Sequence, residues 1–178
     1  MTPEEIRRLA FDHFYFAYGA NLDADTMKRR APSAEAIGVA YLNDWRLEFG
    51  VPGPHLEGAG AGIVQSEGDR VWGVLYAIDE DDKYRLNIAE RGPFEPAFMN
   101  VETDSENTQH EALVYIPRKG ALKGDAAMPD HDYVSRMLEA ARHWQIQPLA
   151  EMLVAVAKES GMKEILGRTP PDAEEIVH

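Results

Sequence analysis

The stretch Val71-Trp72-Gly73-Val74-Leu75-Tyr76 places the tightest limit on how this chain folds. Successive side chains of a strand point to opposite faces, so Val71, Gly73 and Leu75 share one face and Trp72, Val74 and Tyr76 the other. Both faces are apolar, which suits a strand covered on both sides and places residues 70–78 centrally in a sheet. Residues 59–65 and 70–78 flank Ser66-Glu67-Gly68-Asp69, a turn-rich tetrapeptide that predicts a hairpin. Residues 36–50 read as two strands bent around Asn43-Asp44, with Trp45, Leu47 and Phe49 alternating with Arg46 and Glu48. Residues 96–103 and 109–117 predict a second hairpin around Asp104-Ser105-Glu106-Asn107, and residues 50–58 form a loop rich in Gly and Pro.

Residues 14–18 read as the first strand. It stops at Gly19 and runs through Asn21-Leu22-Asp23 into a short helix over 23–31, capped by Asn21 or Asp23 and ended by Pro32. Residues 79–91 carry two patterns: Tyr84, Leu86 and Ile88 alternate as in a strand, but Asp79 suits a helix cap and Gly92-Pro93 a helix end. The capping signals favour a helix. Two further helices are expected over 129–143 and 147–160, the second with a stripe of Leu149, Leu153, Val156 and Ala157. About seven strands, mostly in adjacent antiparallel pairs, with two to four helices gathered late, make an α+β order whose sheet is able to curl into a barrel. One domain is expected over the 178 residues, with a polar arm at 1–12 and a tail at 161–178.

Composition narrows the function. The formal charge is −13 and there is no dense Lys/Arg cluster, which argues against nucleic acid and against an anionic membrane surface. No apolar run reaches the length of a membrane span, and the N-terminus lacks the apolar core of a signal peptide. There is no cysteine, hence no disulfide and no thiolate chemistry, and the cytoplasm is the expected location. No Gly-x-Ser-x-Gly elbow occurs, and the glycines at 58–62 fit neither a P-loop nor a dinucleotide fingerprint. The six histidines are scattered without metal-binding spacing, so no metal is expected.

What remains is carboxylate, tyrosine and backbone amide. A strand that ends in a Gly turn before a helix leaves N–H groups converging on one point, where a carboxylate or phosphate can sit. Most such junctions bind nothing, and read from the residues alone the same turn is first a plain chain reversal. Glu90 falls at a helix end, where a carboxylate works against the helix dipole. It is either a solvated surface residue beside Arg91 or a general base whose pKa a pocket raises. Tyr115 and Tyr133 are either core tyrosines or groups that orient a substrate.

Taken together, Tyr15-Phe16-Ala17-Tyr18-Gly19-Ala20-Asn21-Leu22, Ala31-Pro32-Ser33-Ala34, Trp45-Arg46-Leu47-Glu48-Phe49-Gly50, Gly62-Ile63-Val64-Gln65-Ser66, the 68–76 strand and Pro129-Asp130-His131-Asp132-Tyr133 resemble the gamma-glutamylcyclotransferases over residues 14–155. The resemblance implies a small, mixed and largely antiparallel β-barrel flanked by helices. It implies cyclisation of a small-molecule γ-glutamyl group to 5-oxoproline, within glutathione metabolism, without cofactor or metal, and a possible homodimer. Glu90 matches the family's catalytic glutamate, with Glu95 as the fallback carboxylate. The substrate-binding positions it implies are Tyr15, Tyr18, Gly19, Ala20, Asn21, Leu22, Tyr115 and Tyr133, with the backbone N–H groups of 18–22 pinning the substrate carboxylate. Three departures stand out: Ala20 replaces the usual Ser, Arg91 separates Glu90 from Gly92, and Phe98 stands where the family often has a pocket Tyr. The rival expectations are a non-catalytic small-molecule binder on this fold, or a relative acting on γ-glutamyl amines or a carrier-bound γ-glutamyl group.

Overall fold

The structure, a computed structural model, describes residues 2, 11–52, 59–123 and 129–166. The expected N-terminal arm, the 50–58 loop beyond Pro52 and the tail beyond 166 lie largely outside the described residues. Five strands, β1 (His13–Ala17), β2 (Glu35–Pro52), β3 (Ala59–Ile78), β4 (Phe94–Thr103) and β5 (Gln109–Pro117), close into a barrel in the order β1-β3-β2-β4-β5. All pairings are antiparallel except the parallel closure of β1 on β5 at Tyr15↔Leu113. The described helices are α1 (Ala24–Arg30), α2 (Glu80–Glu90), α3 (His131–His143), α4 (Gln147–Glu159) and the short α5 (Lys163–Leu166). None of them is long and apolar enough to cross a membrane.

Strand 70–78 is central, as its two apolar faces require: β3 lies between β1 and β2. Val71 and Leu75 join Phe16, Leu42, Ile63, Val101 and Val114, one set drawn from all five strands, which is the barrel interior. Val74 and Tyr76 face outward into a second core with Leu86, Met137, Leu138, Leu149 and Leu153 of the helices. Gly73 is required where β1 crosses β3, because a Cβ there would collide with the Ala17 carbonyl oxygen and come within 2.8 Å of the Phe16 ring.

The number of strands is lower than expected, and the first hairpin is not one. Residues 59–65 do not pair with 70–78; they pair with 45–52, and 70–78 pair with 35–43. Ser66 to Asp69 bulge out opposite Asp44. Asp44 has φ 66° and Gly68 φ 84°. The Gly68 N–H donates to Asp44 Oδ1 at 3.0 Å, and the Ser66 hydroxyl to Asp69 Oδ2 at 2.5 Å. The turn chemistry is used, but in a bulge that bends a continuous two-stranded ribbon. Asn43-Asp44 is likewise a kink within β2, not a break between two strands.

The ambiguous 79–91 segment is helix α2, with Asp79 accepting from the Asp82 N–H at 2.8 Å. The strand-like alternation misleads because, of its three members, Leu86 is buried while Tyr84 and Ile88 face solvent. The 94–117 hairpin, α3 and α4 form as expected, with Asp130 capping α3 and Leu149, Leu153 and Ala157 buried.

Candidate active site

Strand β1 is held by β3 on one side and β5 on the other, so its end at Ala17 is fixed in space. The chain then turns at Gly19 into a single 3₁₀ turn, Ala20–Leu22, and Asp23 caps α1 by accepting from the Thr26 N–H at 3.1 Å. The Trp144 indole donates to the Leu22 carbonyl at 3.0 Å, which ties this turn to the end of α3. Beside the turn lies a cavity of about 590 Å³, within the range of small-molecule sites. Its walls bring together Tyr15, Gly19, Asn21, Glu90, Tyr115 and Tyr133, from β1, the turn, α2, β5 and α3; Tyr18 and Ala20 also line it.

Leu22 does not. It is fully buried in the helix-side core, so its expected substrate contact is replaced by a packing role. Phe98 is 55 % exposed and does not line the cavity; its ring lies 5.8 Å from the Lys83 ammonium. The missing tyrosine hydroxyl at that position therefore removes nothing from this cavity. Glu95 is also outside it, with its carboxylate 3.6 Å from Arg118, which leaves Glu90 as the stronger of the two carboxylates.

Glu90 is the last residue of α2, and its side chain is 17 % exposed. Asn21 Nδ2 lies 3.4 Å and Arg30 Nη1 3.6 Å from its Oε1. Oε2 makes no hydrogen bond to the protein among the described residues. Burial pushes the carboxyl pKa above its ordinary value, while Arg30 and then Asn21 pull it back. Arg30 was not anticipated: nothing in its local spacing marks it, since it simply ends the helix that follows the turn.

The four cavity tyrosines differ in where their protons go. Tyr18 donates to the Tyr115 carbonyl at 2.5 Å, and Tyr115 donates to Asn87 Oδ1 at 2.5 Å. Both protons are thereby committed to the protein. Tyr15 accepts from Asn21 Nδ2 at 2.7 Å, and Tyr133 accepts from the Ala61 N–H at 3.2 Å. Their hydroxyl protons have no acceptor among the described residues and are available to a ligand. Burial raises the pKa of all four, Tyr133 to about 12, so each is a neutral hydroxyl at ordinary pH.

This accounting adds hydroxyl donors beside the turn. The Leu22 N–H donates to the Gly19 carbonyl at 3.0 Å, closing the turn. Beside the remaining amides of this turn, the Tyr15 and Tyr133 hydroxyls add donors on the cavity wall. Among the described residues no group of three or more His, Asp or Glu is arranged to hold a metal ion.

The sequence model of the family "Gamma-glutamyl cyclotransferase, AIG2-like" matches residues 15–135. A gamma-glutamylcyclotransferase of Bos taurus is 37 % identical over 108 residues, 56 % of this chain and 57 % of that protein. One of Mus musculus is 43 % identical over 80 residues, 43 % of each chain. The chain thus spans about half the length of the curated relatives it matches. Among solved structures, a gamma-glutamyl cyclotransferase superposes with a TM-score of 0.69 and 26 % identity, covering 93 % of both chains. The matched segment begins at Tyr15 and ends just beyond Tyr133, so it encloses every cavity tyrosine, Asn21, Arg30 and Glu90, and the chain belongs to the gamma-glutamyl cyclotransferase, AIG2-like family.

Proposed function

We propose that this chain cyclises the γ-glutamyl group of a small molecule to 5-oxoproline and releases the attached amino acid or amine, with Glu90 as general base and then general acid. The observation that carries this reading is a carboxylate buried in the cavity wall, held through one oxygen and open at the other. The family relationship supports the reaction type.

At neutral pH the substrate's α-amine is an ammonium and cannot attack. Glu90 Oε2 takes one of its protons, and burial, by raising the carboxyl's proton affinity, makes that transfer less uphill. The freed nitrogen adds to the γ-carbonyl carbon, giving a five-membered tetrahedral intermediate with an oxyanion. The protonated Glu90 then gives its proton to the leaving nitrogen as the old amide bond breaks, and the carboxylate takes the extra proton from the ring nitrogen and passes it to the departing amine, which leaves as an ammonium. The products are the lactam and the protonated amine, and the carboxylate is regenerated. Ring closure is intramolecular, so the cavity's contribution is to hold the chain curled with nitrogen and carbon about 3 Å apart. The hydroxyls of Tyr15 and Tyr133 are the donors open to the oxyanion or to the substrate's α-carboxylate. Cytoplasmic γ-glutamyl amino acids and peptides are the proposed substrates.

The test is incubation of the full chain with γ-glutamyl-alanine, glutathione, γ-glutamyl-ε-lysine and a γ-glutamyl amine, scored for 5-oxoproline by mass spectrometry. Turnover of the dipeptide, lost in Glu90→Gln, is the expected result. Binding without any turnover would make the protein a non-catalytic binder, and turnover of the isopeptide alone would make it a relative with a different leaving group.

A further inference from the structure

The bonds around Glu90 converge on Arg30, which has no part in the reaction as written above. Its Nη1 lies 2.8 Å from Asn21 Oδ1 and 3.6 Å from Glu90 Oε1. Asn21 is an amide with one acceptor end and one donor end. With Oδ1 held by a guanidinium, the donor end must face the other way, where it meets the Tyr15 hydroxyl at 2.7 Å and Glu90 Oε1 at 3.4 Å. A flipped amide would set Nδ2 against the guanidinium and Oδ1 against the carboxylate, two repulsive contacts in a site where Asn21 is 2 % exposed. The cation therefore fixes the amide, and the amide fixes which carboxylate oxygen is engaged.

We infer that Arg30 is the positioning residue of this site: it orients the Asn21 amide and holds Glu90 through Oε1, so that Oε2 is the oxygen presented to the substrate amine. Arg30 acts through Asn21 and Glu90. The inference rests on the reading of Glu90 as the acid–base group.

The electrostatic surroundings of Glu90 give Arg30 a second effect. Tyr15 from β1, Tyr18 at its end, Tyr115 from β5 and Tyr133 from α3 are neutral neighbours, since burial raises the pKa of each. Asn21 carries no charge. Arg91 lines the cavity but makes no ion pair with Glu90 among the described residues. Among the described residues the cation within 4 Å of the carboxylate is Arg30, and it opposes the effect of burial. Its side chain is 37 % exposed, so its removal should register in the titration of Glu90 more than in the stability of the core.

The experiment compares the full chain with Arg30→Met and Arg30→Lys. The first readout is a carboxyl-¹³C NMR titration of Glu90, its signal assigned by its loss in Glu90→Gln. The second is kcat and KM for γ-glutamyl-alanine as a function of pH. In Arg30→Met the Glu90 midpoint should rise by about one unit or more. The acid limb of kcat should move the same way, with a loss of about tenfold below it and little change in KM. Arg30→Lys should bring the midpoint back toward wild type but leave kcat reduced, because an ammonium restores charge without the planar fork. An unchanged midpoint in Arg30→Met overturns the inference, as does a loss of kcat equal at every pH and accompanied by a lower Tm. If the wild-type chain makes no 5-oxoproline, the cyclisation reading has failed, and the NMR midpoint alone decides the place of Arg30.

Discussion

Asn21 Nδ2 lies 3.4 Å from Glu90 Oε1, a contact that closes 69 residues of chain and places the end of α2 against the turn after β1. Replacing Glu90 by Gln keeps the shape and an amide oxygen for Asn21 but removes the proton acceptor. Turnover should fall by roughly 10²–10⁴, the usual worth of a general acid–base group. Stability should move the other way. The folded-state pKa of Glu90 is raised, so the native state binds this proton more tightly than the unfolded chain does. Its contribution is fully present below the unfolded pKa and is lost as pH rises through the folded value. At pH 7 the wild type therefore carries the cost of a buried charge, and Glu90→Gln should melt at the same temperature or higher. That advantage should vanish near pH 4. Thermal melts at the two pH values, beside 5-oxoproline assays, check both halves.

Asn21→Ala strips three contacts at once, those to Tyr15, Glu90 and Arg30. A buried site left short of hydrogen bonds costs about 1–3 kcal/mol. For a chain of this size Tm should drop by about 2–4 °C for each of those kcal/mol. The acid limb of the rate profile should also shift upward, because Asn21 helps hold Glu90 ionised. A wild-type melt together with a wild-type pH profile would remove Asn21 from the network.

Gly19 and Gly73 are both short of room, for different reasons, and alanine should separate site from scaffold. A Cβ on Gly19 would sit 2.9 Å from the Tyr133 hydroxyl, the far end of a side chain that can shift by a few tenths of an ångström. Gly19→Ala should raise KM several-fold, by roughly 1 kcal/mol, with little loss of Tm. At Gly73 the obstacle is the Ala17 backbone, which β3 pairing holds in place. Gly73→Ala should cost about 3 kcal/mol or more, as overpacking against backbone does. Paired denaturant melts and Michaelis curves distinguish the two.

The scaffold was legible wherever local pattern and packing agree. The two-faced Val71–Tyr76 run had to be central, and Asp79 had to cap a helix, because those demands arise within a few residues. The bulge at Ser66–Asp69 was read as a reversal because turn chemistry fixes backbone dihedrals, not whether the partner strand continues alongside; only Asp44, 24 residues away, decides that. In the site, the resemblance brought out Glu90 and the tyrosines, but Leu22 was carried along by its place in the motif although its side chain points into the core. Arg30 was missed for the opposite reason. Its function depends on a contact across 9 residues to Asn21 and a second one to α2, and neither follows from composition or period.

Ala20 remains the sharpest local difference from the family's usual serine, and the cavity allows a definite expectation. Ala20 opens the 3₁₀ turn and lines the cavity. In the turn the Gly19 and Ala20 carbonyls already accept from the Leu22 and Asp23 N–H groups, so a bound carboxylate or oxyanion is the stronger acceptor for a hydroxyl added at this Cβ. One new hydrogen bond to a carboxylate or oxyanion is worth about 1.5–3 kcal/mol where fully formed. At a partly solvated cavity wall, Ala20→Ser should lower KM by up to about tenfold, some 1.4 kcal/mol, with Tm unchanged. A fall in KM at constant kcat means the serine holds ground state and transition state alike, and a rise in kcat means it serves the developing oxyanion. Steady-state kinetics on γ-glutamyl-alanine separate these outcomes. An unchanged KM and kcat would mean that Tyr15 and Tyr133 already satisfy the substrate, and that the backbone and tyrosines suffice where the family commonly adds a hydroxyl.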